Sequence, residues 1–192
     1  MALEHRQFTS VEDYFALEEN NPDVRFEYYD GYVYMMAGGT ADHATIRFNV
    51  QAALSNALRN GPCRVYDSDM SVYLSDTRYF HPDVTVTCDP RDRGKASVIR
   101  SPRVVVEILS PSTEASDRIR KLHAYLAYPT IEEYILVDYR TRRIEVYSKA
   151  QRGWNYTVYG PGDEVEVRSL GVRFALDDAY ENVVFEEEGE DF

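Results

Sequence analysis

Cysteine is scarce in this chain, which has two, Cys63 and Cys88, among 192 residues. Small secreted domains that depend on disulfides carry more, and a structural zinc site needs further ligands nearby that this sequence does not offer. In a reducing compartment two such residues stay as thiols. The sequence therefore predicts two isolated structural cysteines rather than a bridge or a zinc site.

Long apolar runs are also missing. No stretch approaches the roughly eighteen apolar residues of a membrane-spanning helix, and residues 1–6 lack the apolar core of a signal peptide. We therefore expect a cytoplasmic protein with no membrane partner.

Positive charge is in short supply, with 21 Lys and Arg against 33 Asp and Glu and a net charge of -12. This balance argues against a protein that coats nucleic acid through a broad basic surface. The basic residues that do occur gather in two bunches, which most often indicate a solvated face. The first bunch is Arg91, Arg93, Lys95, Arg100 and Arg103, and the second is Arg118, Arg120 and Lys121.

The composition is otherwise that of an ordinary globular protein, with 44% hydrophobic and 13% aromatic residues. The length suits one domain, and no repeat or linker divides it. We expect a single domain over 1–185, followed by an acidic tail over 186–192.

Hydrophobic periodicity and turn residues predict helices and strands in alternation. A capped helix begins near Val11, and Asp30-Gly31 is typical of a two-residue hairpin turn. Two further helices are predicted over 42–59, with Ala44, Phe48, Ala52, Leu54 and Leu58 inward, and over 114–128, with Ala115, Ile119, Leu122 and Leu126 inward. Strands are predicted over 25–29, 32–36, 63–74, 80–88, 103–109, 133–139, 143–148 and 154–159. The expected fold is α/β, with a mixed central sheet flanked by helices and an N-terminal helix and hairpin.

The segment Val104 to Leu109 is apolar apart from Glu107, which is typical of a central strand covered on both faces. A lone buried carboxylate costs several kcal/mol unless it is paired, protonated or bound to a cation. Glu107 therefore indicates a divalent metal, although a satisfied structural acid is the alternative.

A second carboxylate, Asp83, stands in the predicted neighbouring strand just after Pro82. Two acids on adjacent strands can hold one Mg²⁺ or Mn²⁺, with a further oxygen from the Ile108 carbonyl. We therefore predict Asp83, Glu107 and Ile108 as the metal ligands.

Three other residues are candidates for the same site. Glu27 precedes the hairpin turn and either approaches the metal or pairs with a surface cation. His43 either assists proton transfer, since imidazole titrates near neutrality, or is polar surface. Lys121 either faces the rim of the site as its cation or forms an ordinary helix pair with Asp117.

Taken together, these segments resemble the Uma2 (DUF820) family of restriction-endonuclease-like proteins, from about Val11 to Tyr159. The motifs that carry the resemblance are Glu27 with Asp30-Gly31, His43, Pro82-Asp83-Val84, Val106 to Thr113, Asp117 with Lys121 and Tyr125, and Glu133 to Asp138. The family is placed in the PD-(D/E)xK nuclease superfamily, which implies a metal-dependent phosphodiesterase site.

The resemblance also assigns roles. It implies that Asp83 and Glu107 are the motif acids, Glu27 is an additional acid, and the motif lysine has moved from position 109, which is Leu109 here, to Lys121 on the following helix. The substrate that the resemblance implies is nucleic acid, with DNA favoured over RNA.

Two functions follow as expectations. The first is a Mg²⁺-dependent endonuclease that uses Asp83, Glu107, Lys121, Glu27 and His43. The second is an inactive nuclease-like fold that serves as a binding module or homodimer, favoured by Leu109, the net charge and the sixteen tyrosines. Another metal-dependent hydrolase with the same acids is a third possibility.

Overall fold

The structure is a computed structural model that describes residues 8–36 and 38–185. The predicted acidic tail at 186–192 lies outside the described residues. Within the described ranges no helix is long and apolar enough to cross a membrane.

The helices of the described part are α1 (Val11–Asn20), α2 (Ala41–Ala57), a π-helical segment (Ser116–Lys121) that continues into α3 (Leu122–Ala127), and α4 (Leu176–Ala179). Short 3-10 turns occur at Pro90–Asp92 and Arg168–Leu170. The strands are β1 (Phe26–Tyr29), β2 (Tyr32–Met35), β3 (Arg64–Asp67), β4 (Ser71–Ser75), β5 (Arg78–Phe80), β6 (Val84–Thr87), β7 (Val98–Ile99), β8 (Pro102–Ile108), β9 (Glu133–Val137), β10 (Ile144–Lys149), β11 (Trp154–Tyr159), β12 (Glu164–Val167) and β13 (Val172–Ala175).

The central sheet is mixed, as the sequence predicts. Its order is β11-β10-β9-β8-β6-β3, with β8 parallel to β9 and antiparallel to β6. The parallel pair follows from the helical crossover between β8 and β9, because a parallel connection needs a long excursion across one face of the sheet.

Strand β8 is buried on both faces, because successive side chains point to opposite sides. Val104, Val106 and Ile108 pack on the side of α2, whose inward residues include Ile46, Val50 and Leu54. On the opposite side, Val105 and Leu109 pack with Ala124 and Tyr125 of α3. Glu107 shares the alternation of Val105 and Leu109, so its carboxylate points toward the π-helical segment and α3.

A second sheet has the order β2-β1-β5-β4-β7. The predicted hairpin at its edge is confirmed: Asp30 and Gly31 adopt φ of 47° and 90°, the left-handed backbone that a two-residue hairpin turn requires. Strand β1 thereby carries Glu27 into the interior, where its exposed fraction is 5%.

The two predicted apolar helix faces are partly wrong. Phe48 is 67% exposed and Ile119 is 62% exposed, and Ala44 and Ala115 are exposed as well. In the second case the cause is the π-helical segment, in which the Leu122 N–H reaches back five residues to the Asp117 carbonyl. The wider turn changes which side chains face inward, so that Asp117 and Lys121 are buried instead of Ile119.

The prediction of two isolated thiols is also wrong, because Cys63 and Cys88 form a disulfide. They flank β3 and β6, whose antiparallel register pairs Arg64 with Thr87 and brings the next two residues opposite each other. The bond therefore links neighbouring strands of the central sheet.

Sequence reasoning missed the segment after Tyr159. Strands β12 and β13 form a two-stranded sheet, and Val165, Val167, Phe174 and Leu176 pack on the α2 side of the core. The alternation of Glu164 to Val167 could have revealed β12.

Candidate active site

The ammonium group of Lys121 lies among three buried carboxylates. Its Nζ is 2.7 Å from Glu27 Oε1, 3.1 Å from Glu107 Oε1 and 3.3 Å from Asp117 Oδ1. All four side chains are 7% exposed or less. We call these residues the acid–lysine cluster.

The cluster is short of positive charge. Among the described residues Lys121 is the only ion-pairing cation of these three carboxylates. Burial raises the pKa of both Glu107 and Asp117, and the attraction of Lys121 opposes that rise without cancelling it. Burial lowers the pKa of Lys121, but the charges of Glu107, Glu27 and Asp117 outweigh burial and raise it, so the lysine stays charged.

Hydrogen bonds fix the cluster from two directions. Tyr125 donates its phenolic O–H to Glu107 Oε1 at 2.9 Å, and the His81 backbone N–H donates to Glu27 Oε1 at 3.4 Å. Asp117 Oδ1, although 3.3 Å from the ammonium, has no hydrogen bond within the described part of the chain. The ion pair with Lys121 is therefore the contact that compensates this buried oxygen.

Aromatic rings enclose the cluster on the α3 side. Tyr125 packs on Phe80 and Tyr134, with ring centroids 5.5 Å and 4.9 Å apart, and Lys121 Nζ lies 5.7 Å from the centre of the Phe80 ring. These rings exclude water, which strengthens the charge interactions inside.

Asp83 and His43 meet at the end of β8. Asp83 Oδ2 accepts a hydrogen bond from the Ile108 N–H at 2.8 Å, and His43 Nε2 lies 3.0 Å from the Ile108 carbonyl oxygen and 3.5 Å from Asp83 Oδ2. Helix α2 places the histidine here, because Thr40 caps its N-terminus through the His43 N–H.

The electrostatics of this contact favour the imidazolium form. Burial lowers the pKa of His43, but the hydrogen bond and charge of Asp83 and the Ile108 carbonyl outweigh burial and raise it. The proton on His43 Nε2 can therefore lie between the Ile108 carbonyl oxygen and Asp83 Oδ2.

The structure thus gathers the five predicted side chains into two adjoining groups. Glu27, Glu107 and Lys121 share the acid–lysine cluster, and Asp83 and His43 flank Ile108, the residue after Glu107. Asp83 precedes β6 instead of lying within a strand, as the sequence suggested.

Two details differ from the sequence interpretation. Lys121 is 3% exposed, so the expectation that it faces a rim instead of the core is wrong. Asp117, which the helix-pair alternative places at the surface, is a buried member of the cluster. His81, the neighbouring histidine, turns away to Glu18 Oε1 at 3.3 Å and the Ser68 carbonyl at 2.9 Å.

The predicted metal ligands fit magnesium in chemistry, since Asp83, Glu107 and Ile108 offer only oxygen atoms. Mg²⁺ is often bound through one or two carboxylates, with water and substrate phosphate completing the shell. Within the described ranges no group of three or more His, Cys, Asp or Glu side chains is arranged to hold a metal ion. The predicted set is thus two carboxylates and one carbonyl, of which Glu107 Oε1 already contacts Lys121 and the Ile108 carbonyl oxygen contacts His43.

Comparison with solved structures finds the same fold elsewhere. The chain matches a crystal structure of a putative nuclease belonging to DUF820 from Anabaena variabilis ATCC 29413, with a TM-score of 0.70 and 18% identity, over 89% of this chain and 97% of that one. At this identity the likeness concerns the fold alone.

Sequence comparison finds two curated relatives from Synechocystis sp. (strain ATCC 27184 / PCC 6803 / Kazusa). Uncharacterized protein slr1290 is 39% identical over 178 residues, covering 92% of this chain and 93% of the relative. Uncharacterized protein sll1609 is 27% identical over 171 residues, covering 86% and 96%.

The family model "Uma2: Putative restriction endonuclease" matches residues 11–178, which include both groups of site residues and the hairpin that carries Glu27. This match confirms the resemblance that the motifs around Asp83 and Glu107 suggest. The chain belongs to the Uma2 family.

Proposed function

We propose that this protein is a metal-dependent endonuclease that hydrolyses phosphodiester bonds of nucleic acid, with DNA favoured over RNA. The observation that carries the proposal is the acid–lysine cluster, in which three buried carboxylates share one ammonium group next to Asp83. Buried acids in excess of their cations are costly for stability alone, and perturbed acids of this kind concentrate at functional sites. Membership of the Uma2 family supplies the reaction class.

Asp83, Glu107 and the Ile108 carbonyl would hold Mg²⁺ or Mn²⁺. When bound, such an ion would polarise the scissile phosphate and lower the pKa of a coordinated water.

Lys121 is a positioning residue in this proposal, because at 3% exposure it lies too deep for direct contact with a nucleic-acid backbone. Its charge favours the ionised form of Glu107, while the Tyr125 hydroxyl fixes the carboxylate orientation. His43 would hold or transfer a proton at Nε2 beside Asp83.

The experiment is cleavage of single-stranded and double-stranded DNA and of RNA by the purified full chain with Mg²⁺ or Mn²⁺. We expect cleavage by the wild type and a roughly 100-fold or greater loss in Asp83→Asn and in Glu107→Gln, because each removes a ligand charge. A wild type that leaves every substrate intact at several metal concentrations would overturn the proposal.

As matched controls, one exposed glutamate and one exposed aspartate outside the site are neutralised. Glu19→Gln and Asp178→Asn change the net charge equally at exposed positions that form no ion pair within the described residues. Both should cleave like the wild type, and equal losses in the controls would point to net charge instead of a site.

A second candidate is an inactive nuclease-like fold that acts as a binding module or homodimer. It is favoured because Glu107 already has Lys121 as its cation, and because Tyr32 and Tyr156 are 38% and 50% exposed. Calorimetric titration with Mn²⁺ separates the candidates, since a nuclease binds the ion and loses affinity in Asp83→Asn. Sedimentation analysis of the same samples tests the homodimer.

A further inference from the structure

The segment between β6 and β8 lines an open surface cavity of about 480 Å³. Its lining contains three basic residues, two serines and one acid, together with Ala96 and Val98. The polar residues are Arg91, Lys95, Arg100, Ser97, Ser101 and Asp92. We call it the basic cavity.

The basic cavity lies at the opposite end of β6 and β8 from the candidate active site. Thr87 pairs with Pro102 at the end near the cavity, whereas Val84 pairs with Val106 at the end near Asp83. Three residues of strand separate these pairs, which corresponds to roughly 10 Å. The two sites are therefore distinct.

A buried carboxylate holds the walls of the cavity in place. Asp92 is 2% exposed, and it accepts hydrogen bonds from the Arg100 N–H and the Ser101 N–H, each at 2.9 Å, and from the Thr87 hydroxyl at 2.8 Å. These hydrogen bonds hold the segment in place, so the cavity is preformed. Binding to a preformed site loses less conformational entropy.

The cations of the cavity are only partly compensated. Arg91 forms a forked pair with Asp89, with Nη2 2.6 Å from Oδ2. Within residues 8–36 and 38–185, neither Lys95 nor Arg100 has an ion pair, and the Arg100 guanidinium lies 4.3 Å from the centre of the Tyr73 ring. Contact with an aromatic face orients a guanidinium without neutralising it.

Two cations without an ion pair in the described residues, one paired arginine and two hydroxyl groups line this cavity. Asp92 lines it too, but its carboxylate already accepts hydrogen bonds from the Arg100 and Ser101 N–H groups and the Thr87 hydroxyl. In a chain of net charge -12 this concentration of positive charge is unusual. Phosphate groups suit such a set, because guanidinium and ammonium groups both form charge-assisted hydrogen bonds with phosphate oxygens. We infer that the basic cavity binds a phosphate ester, carried either by a mononucleotide or by a nucleic-acid backbone.

The test measures binding to the full chain without divalent metal, which keeps it independent of the proposed nuclease activity. The probes are adenosine monophosphate by calorimetry and a fluorescein-labelled single-stranded oligonucleotide by anisotropy. Lys95→Ala/Arg100→Ala should weaken binding of at least one probe tenfold or more. For the oligonucleotide, the slope of log K against log salt should shrink by about 1.4, for two lost phosphate contacts at about 0.7 each.

Arg59→Ala/Arg152→Ala is the matched control, because it removes two exposed arginines without ion pairs in the described part of the chain. It should bind both probes within twofold of the wild type. Equal losses in the two double variants would overturn the inference, since they would show a net-charge effect.

Ser97→Asp adds a negative charge to the cavity while keeping its cations, and it should weaken binding in the same way. Thermal unfolding of each variant checks folding, which should persist because Asp92 contacts Arg100 through its backbone.

The two probes identify the source of the phosphate. A cavity-dependent affinity for adenosine monophosphate indicates a mononucleotide, and cavity-dependent binding of the oligonucleotide alone indicates a backbone. A wild type that binds neither probe, or cavity variants that bind both normally, would overturn the inference.

Discussion

Glu107 and Glu133 are both buried carboxylates, on the neighbouring parallel strands β8 and β9, and their surroundings differ in kind. Glu133, with no exposed surface, accepts hydrogen bonds from neutral groups: the Ser148 hydroxyl, the Arg168 N–H, and the N–H and hydroxyl of Ser169. Glu107 instead shares the ammonium of Lys121 with two other acids.

The difference separates two uses of a buried charge. Four neutral donors satisfy Glu133 and attach the 3-10 turn at Arg168–Leu170 to the central sheet, which is a structural role. Around Glu107, three carboxylates share one ammonium group, so their negative charge is only partly neutralised. Three substitutions test this contrast.

Lys121→Met should have the largest effect. It leaves three buried carboxylates without their shared cation, so we expect a loss of about 3–5 kcal/mol in the free energy of unfolding at pH 7. Urea denaturation measures it, with the exposed Lys95→Met as control, which should stay within about 0.5 kcal/mol. The loss should shrink at acidic pH as Glu107 and Asp117, whose pKa values are raised by burial, take up protons. A variant as stable as wild type at pH 7 would contradict the contrast.

Glu133→Gln should cost about 1–3 kcal/mol in the same measurement. The amide nitrogen of the new glutamine is itself a donor and would face other donors. Buried N–H or O–H groups would therefore lose their acceptor. Its neighbour Glu132, half-buried and paired with Arg103 at 2.9 Å, provides the control, because Glu132→Gln should cost less than about 1 kcal/mol. Similar losses of unfolding free energy in Glu133→Gln and Glu132→Gln would contradict a structural role for Glu133. Cleavage activity should survive in both variants.

Glu107→Gln should change stability least, and in the opposite direction. Because burial raises the pKa of Glu107 above 4.5, the folded protein binds more protons than the unfolded chain between that value and the folded pKa. Wild-type stability therefore falls as pH rises through this window, whereas glutamine does not titrate. We expect the variant to gain stability relative to wild type as the pH rises above 4.5.

Denaturation at several pH values, with Glu19→Gln as a control that follows the wild type, measures this gain. A relative loss of stability on raising the pH would mean that Lys121 outweighs burial and that Glu107 is an ordinary ion pair.

Much of the fold could be predicted from local patterns. The Asp30-Gly31 turn fixes the hairpin, and the apolar run at Val104 to Leu109 identifies the central strand. Asp83 and Glu107 were expected on neighbouring strands, and the chain places them one residue before β6 and within β8.

Other features depend on three-dimensional context. The spacing of Ala115, Ile119 and Leu122 assumes a regular α-helix, and nothing local distinguishes the π-helical segment that turns Asp117 and Lys121 inward. The disulfide depends on the register of β3 and β6, which places Cys63 opposite Cys88 and which the local sequence does not specify. The basic bunch near Arg100 was visible in the sequence, but the cavity it lines was not.

The π-helical segment Ser116–Lys121 also has a consequence for length variation in this part of the chain. The one extra residue in its turn changes the angular positions of the residues before it relative to those of the helix after it. A deletion of one residue there would restore regular α-helical spacing and rotate either Asp117 or Lys121 by roughly 100° about the axis. The number of residues in this segment, as well as their identity, therefore determines which charged side chains are buried.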